Sequence, residues 1–290
     1  MVIATSPKKY LRALLILGRV SNLPTIWSNC LAGWLLGNGG DPEKFLLLCL
    51  GATGLYLGGM FLNDAFDAEF DHQHRRERPI PSGAISEAAV WYWGFGWLGV
   101  GTVMLLVLGQ KTAMLALLLV GAILVYDAVH KLVTFSPVLM AGCRFLLYLV
   151  ATSSSTEGVS GLAIWSALVL AAYVAGLSYI ASRESTHSPM QHWPCLLLAA
   201  PLVLAYIVNA DAERHRALGL SALVLVWIGR SGRFTLWGPH RNLRRAVSGL
   251  LAGIVLIDLL AAAPEPYPTG LIFLVLFGAA LLLQRAVPAT

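Results

Sequence analysis

KFLLLCLGATGLYLGGMFLNDAFDAEFDHQHRRERPIPSG, residues 44–83, passes from an uncharged apolar run to a dense block of acids and then to three arginines. From Phe45 to Leu62 no residue carries a charge, close to the roughly 20 apolar residues that cross a bilayer core as a helix. Residues 88–108, 112–126, 160–181 and 245–257 are likewise almost free of charge. Across the 290 residues, 57% are hydrophobic and only 12% charged, about half the charged share of a soluble domain. Water leaves no place for so much apolar surface. The expected fold is therefore all-α, a polytopic transmembrane helical bundle of nine to ten spans.

Hydropathy puts the spans at about 20–37, 44–62, 88–108, 112–130, 136–153, 160–182, 193–209, 216–231, 243–262 and 268–285; nine remain if 268–285 is an extra C-terminal helix. No hydrophilic domain or long linker interrupts them, so residues 1–290 read as a single membrane domain. Lys8, Lys9 and Arg12 precede an apolar stretch, but Arg19 breaks it and no small-residue cleavage pattern follows, unlike a cleaved signal peptide. The four cysteines lie far apart in apolar segments without CxxC spacing, as packing residues do.

With the N-terminus in the cytoplasm, fifteen of the twenty Lys and Arg face inward. Four face outward (Lys44, Lys111, Arg214 and Arg216), and Arg144 falls within a span. That bias is what positive-inside topology demands. It accounts for the net charge of +5 without a nucleic-acid partner. The expected location is a cell inner membrane, with loops 63–87, 130–135 and 182–192 together on the cytoplasmic face, where their polar residues can converge on one vestibule.

If the second span continues as helix, Asn63, Asp67 and Asp71 recur at i, i+4 and i+8, and Asp64 joins their face. Like charges at that spacing repel, and a divalent cation is a compact way to compensate. Carboxylate and amide oxygens are hard ligands suited to Mg²⁺, which keeps positions for waters and substrate phosphate. Arg75, Arg76 and Arg78 follow at once and can hold phosphate oxygens. Pro79, Pro81 and Gly83 then end the helix in a turn. The plainer reading, a helix that is merely polar where it leaves the membrane, does not explain four oxygen ligands on one face followed by three arginines.

The pattern Asn-Asp-x-x-Asp-x-x-x-Asp, a basic stretch and Arg-Pro-Ile-Pro-Ser-Gly resembles the first aspartate-rich motif of the UbiA superfamily of intramembrane prenyltransferases, and the likeness extends over about residues 10–262. The resemblance implies a helical bundle with a central cavity, binding of an isoprenoid diphosphate through Mg²⁺, and transfer of the prenyl group to a lipophilic acceptor, often aromatic. Carried over, Asn63, Asp64, Asp67 and Asp71 hold Mg²⁺–diphosphate, with Arg75 and Arg78 on the diphosphate. Family members often carry Tyr-x-x-x-Lys after the fourth span; here Tyr126 stands four residues before His130, and lysine comes one later as Lys131. Interfacial anchoring explains Tyr126 and Lys131 equally well.

Arg144, within the fifth span, is expected to face a cavity or a partner, with Asp127 and diphosphate as the alternatives. The second aspartate-rich motif is depleted: the sixth span ends Leu-Ser-Tyr-Ile-Ala-Ser-Arg-Glu-Ser, leaving Arg183 as a phosphate ligand and Glu184 as the single acid. In this the chain resembles a divergent branch such as the EboC-type proteins. The expected activity is Mg²⁺-dependent prenyl transfer. A terpene cyclase-like reaction, or a non-catalytic isoprenoid carrier retaining one metal–diphosphate site, are the rival readings.

Overall fold

A computed structural model describes residues 6–183, 193–236 and 242–289. Among the described residues it is all helical, with twelve α-helices. In chain order they are α1 (Pro7–Leu17), α2 (Leu23–Leu36), α3 (Pro42–Phe66), α4 (Ala68–His74), α5 (Glu87–Leu106), α6 (Gln110–Val129), α7 (Ser136–Ser153), α8 (Gly161–Ser182), α9 (Ala200–Val208), α10 (Asp211–Leu236), α11 (Leu243–Ala261) and α12 (Tyr267–Ala286). Short 3₁₀ turns, Val20–Asn22 and Trp193–Ala199, precede α2 and α9. The starts are written locally. Asp41 accepts from the Glu43 N–H ahead of α3, Ser86 from the Ala89 N–H ahead of α5, and Ser160 from the Ala163 N–H ahead of α8, each satisfying an otherwise orphaned donor.

Each of the ten expected spans falls on helix. Six helices, α3, α5, α6, α7, α8 and α12, are long and apolar enough to cross a membrane, and the protein is an integral membrane protein. The others fall short for visible reasons. α2 has 14 residues and α9 has 9, while α10 begins with Asp211, Glu213, Arg214 and Arg216, and α11 carries Arg244, Arg245 and Asp258.

α3 and α5 meet backbone to backbone. A Cβ on Gly54 would lie 2.8 Å from the Gly101 Cα, and one on Gly101 would lie 2.6 Å from the Leu55 nitrogen. Small residues allow such approach, which in lipid supplies the packing that drives helix association. Of the four α5 glycines, Gly94 and Gly101 serve this contact, whereas Gly96 and Gly99 face open space.

Two features of the packing position the polar residues. Leu17 of α1, Phe61 and Ala65 of α3, Val90 of α5 and the loop residues Ile80 and Ile85 form one buried cluster. The two isoleucines anchor the segment Arg78–Gly83, which closes through Ser82 N–H to Arg78 O and Gly83 N–H to Ile80 O. Gly83 has φ +72°, a conformation open to glycine without strain. A second buried cluster joins α2, α3, α6 and α7 through residues such as Ile26, Leu55, Leu119 and Leu147, and a cavity lies among these four helices.

Candidate active site

α3 ends at Phe66, but the hydrogen-bond ladder does not. The Asp67 N–H donates to Asn63 O at 3.0 Å and the Asp71 N–H to Asp67 O at 2.9 Å, with Asp67 itself near helical geometry at φ −84° and ψ −4°. The chain thus keeps the i, i+4 relation from α3 into α4. Asn63, Asp64 and Asp67 are each 5% exposed and Asp71 2%. Three buried carboxylates on neighbouring turns are costly unless paired.

Cations from three other segments pair them. Arg78 Nη1 donates to Asp64 Oδ1 at 2.9 Å and to Asp71 Oδ2 at 3.0 Å. Arg19 Nη2 reaches both Asn63 Oδ1 and Asp64 Oδ1 at 3.4 Å. Lys131 Nζ lies 2.6 Å and His130 Nε2 3.3 Å from Asp67 Oδ1, so both residues that follow α6 reach the same acid. Burial drives the Asp67 carboxyl toward its neutral form, yet the hydrogen bonds from His130 and Lys131 outweigh it and hold the carboxyl below its usual range. Burial likewise disfavours charged His130, but the bond to Asp67 prevails and raises the imidazole above its ordinary value. Both directions favour the ionised pair.

The repulsion read from the sequence is therefore offset here by arginine and lysine. Among the described residues no three His, Cys, Asp or Glu side chains are gathered around one point as ligands. The donor chemistry nonetheless fits Mg²⁺: all are hard oxygens, and one of them, Asp71 Oδ1, is buried with no hydrogen-bond partner. Asn63, Asp64, Asp67 and Asp71 are the residues that would hold the ion.

Asp127 joins the cluster through its Oδ1, which accepts from Asn63 Nδ2 at 3.2 Å. It also lines the cavity of about 570 Å³ among α2, α3, α6 and α7, together with Tyr56, Tyr126, Arg144 and apolar residues such as Ile123 and Met140. Tyr126 stacks on His130 with ring centroids 5.1 Å apart, as the shared helix face predicts. Arg144 faces this cavity but does not pair with Asp127. Its guanidinium donates to Thr25 O, Thr25 Oγ1 and Asn29 Oδ1 at 3.2, 2.9 and 2.6 Å, because α2 offers a carbonyl and two side-chain oxygens within its reach.

Arg75 lies over the Phe70 ring at 5.9 Å and Arg183 over the Tyr179 ring at 4.8 Å; neither forms an ion pair with the cluster. Glu184 lies outside the described residues. Two participants are not evident from the sequence. Asp127 stands out there only as a partner for Arg144. Arg19 stands out only as an inward charge, although a lone arginine interrupting an apolar stretch is the available signal. Its backbone adopts φ +40°, ψ +48°, and its carbonyl accepts from the Tyr56 hydroxyl at 3.2 Å. A left-handed non-glycine residue is held by its surroundings.

The UbiA prenyltransferase family model matches residues 23–288. Over 86 residues the chain is 34% identical to digeranylgeranylglyceryl phosphate synthase of Metallosphaera sedula, covering 30% of each protein. Over 142 residues it is 30% identical to the mitochondrial 4-hydroxybenzoate polyprenyltransferase of Aedes aegypti, covering 48% of this chain and 31% of that one. The matches thus span about a third of the length of these curated relatives. The fold is shared with a UbiA homolog from Archaeoglobus fulgidus bound to GPP and Mg²⁺, at TM-score 0.63 and 16% identity over 96% of this chain and 99% of that one. It is shared also with a UbiA homolog from Aeropyrum pernix K1, at TM-score 0.52 and 20% identity over 90% and 98%.

Proposed function

We propose that this chain, which belongs to the UbiA prenyltransferase family, transfers a prenyl group from an isoprenoid diphosphate to a lipophilic acceptor within the membrane. The observation that carries the reading is the junction of two unlike environments. Buried acids and their arginine and lysine partners sit at the ends of α3 and α6, and Asp127 joins them to an apolar cavity. A diphosphate with a hydrocarbon tail has the same division.

Asn63, Asp64, Asp67 and Asp71 would hold Mg²⁺, which when bound neutralises charge on the diphosphate leaving group. Arg19, Arg78 and Lys131, each within hydrogen-bond range of one of these acids, bind diphosphate oxygens and stabilise negative charge as the C–O bond breaks. The apolar walls around Ile123 and Met140 keep water from the allylic carbon, and Tyr56 and Tyr126 present aromatic rings toward positive charge there. Asp127 Oδ2, which no protein group engages, accepts a hydrogen bond from the acceptor. The Mg²⁺-bound Archaeoglobus homolog supports the choice of metal. The distribution of Lys and Arg supports a cytoplasmic site in a cell inner membrane.

The test is turnover of labelled prenyl diphosphates by detergent-solubilised protein with a panel of acceptors. Mg²⁺-dependent release of diphosphate should disappear in Asp67→Ala and Asp71→Ala. Release that persists in both folded variants rules the metal assignment out; isoprenoid products formed without acceptor point to cyclisation instead.

A further inference from the structure

A second cavity, of about 470 Å³, lies among α7, α8, α9 and α11, apart from the acid cluster. Its walls are mostly apolar and include Leu162, Val169, Leu204, Val208 and Ile257. Of its four buried polar residues, Tyr148 and Asp258 are the least accessible, each 1% exposed, beside Ser166 and Asn209. Asp258 is held through one oxygen only. Its Oδ2 accepts from Ser28 Oγ at 2.5 Å and from Asn29 Nδ2 at 2.7 Å. Asp258 Oδ1 and the Tyr148 hydroxyl have no hydrogen-bond partner.

A buried carboxylate oxygen and a buried phenol without partners are both unfavourable, and the two residues line one chamber. We infer that this chamber binds an apolar molecule ending in a hydroxyl, a long-chain alcohol or a phenol. A single hydroxyl serves both atoms at once: its proton goes to Asp258 Oδ1 and its oxygen accepts from Tyr148. An ammonium has no acceptor to offer the Tyr148 proton, and a phosphate or carboxylate is repelled by Asp258. Aliphatic walls suit the rest of the molecule. None of the residues assigned to the diphosphate takes part, so the site stands independently of prenyl transfer. It does touch the first cavity indirectly, because Asn29 bonds both Asp258 and Arg144.

Photolabelling tests this on the full chain in detergent, using a diazirine-bearing long-chain alcohol as probe. Peptides from α9 and α11 should be labelled, and 1-decanol should compete at least about tenfold better than decane, decylamine or decyl phosphate. Tyr148→Phe, which removes only the hydroxyl, should cut labelling about tenfold, as sites built around a ligand hydroxyl discriminate strongly. If decane competes as well as 1-decanol, or labelling falls only around Ile123 and Met140, the inference is wrong. Unchanged labelling in a folded Tyr148→Phe also overturns it, and then water alone serves the two atoms. Should that variant fail to fold, the competition series on the unaltered chain still decides.

Discussion

Arg78 Nη1 donates to Asp71 Oδ2 at 3.0 Å while the other Asp71 oxygen is buried and has no partner. The same nitrogen of Arg78 also holds Asp64, so a single guanidinium ties the end of α3 to the middle of α4. The same carboxylates are the proposed metal ligands. Arginine and metal thus perform one electrostatic task at this site, keeping like charges together in a place from which water is largely excluded.

Arg78→Ala follows from that relationship. Breaking a buried pair costs about 3–5 kcal/mol, and the Arg78 side chain is 22% exposed, so a loss of about 1–3 kcal/mol is expected. The melting temperature should fall in Mg²⁺-free buffer and recover as Mg²⁺ is added, by more than in the unaltered protein. No differential response to Mg²⁺ contradicts ligation by Asp64 and Asp71.

Lys131 and His130 share Asp67 but not equally. The lysine contact is the shorter, 2.6 against 3.3 Å. Lys131→Met is expected to raise the KM for prenyl diphosphate by about tenfold, the scale of one charge-assisted hydrogen bond. His130→Gln is expected to raise it less. Steady-state kinetics on both variants check the order.

Arg19 combines backbone strain with a side chain proposed to bind diphosphate. Glycine adopts φ +40° freely, whereas alanine does not, so Arg19→Gly should be more stable than Arg19→Ala by about 1 kcal/mol. Both lose the contacts to Asn63 and Asp64 and should lose activity to the same degree. Thermal melting beside turnover separates the two effects. Equal melting of the pair contradicts the strain.

Gly101 and Gly99 lie two residues apart on α5 and should answer differently to one methyl group. Gly101→Ala places its Cβ 2.6 Å from the Gly51 carbonyl oxygen, backbone that cannot swing aside, while nothing lies within 4 Å at Gly99. Overpacking of this kind costs about 1–3 kcal/mol. Gly101→Ala should lower the melting temperature, and Gly99→Ala should leave it nearly unchanged.

Much of the site is legible in the sequence because its period is local. Asn63, Asp64, Asp67 and Asp71 sit within nine residues, and helical spacing alone puts them on one face. The stacking of Tyr126 on His130 follows from the same i, i+4 rule. Membrane insertion is equally plain, since the uncharged run from Phe45 to Leu62 is long enough to cross a bilayer core. Helix length at α2 and charge at the ends of α10 and α11 are harder to read, because hydropathy windows average over such interruptions.

What the sequence determined by itself is an all-helical membrane protein with an oxygen-rich helix face followed by arginines. Tertiary structure alone decided which cations meet those oxygens: Arg19 comes from 45 residues before Asp64, and Lys131 from another helix end. It also decided that Arg144 turns to Asn29 rather than Asp127, and that Asp258 reaches Ser28 across 230 positions. The physical reason is reach. Periodicity fixes which side chains share a face of one helix, but which faces meet depends on packing such as the glycine contact of α3 and α5. The cluster at Asn63–Asp71 was written locally, and its partners were set by the bundle.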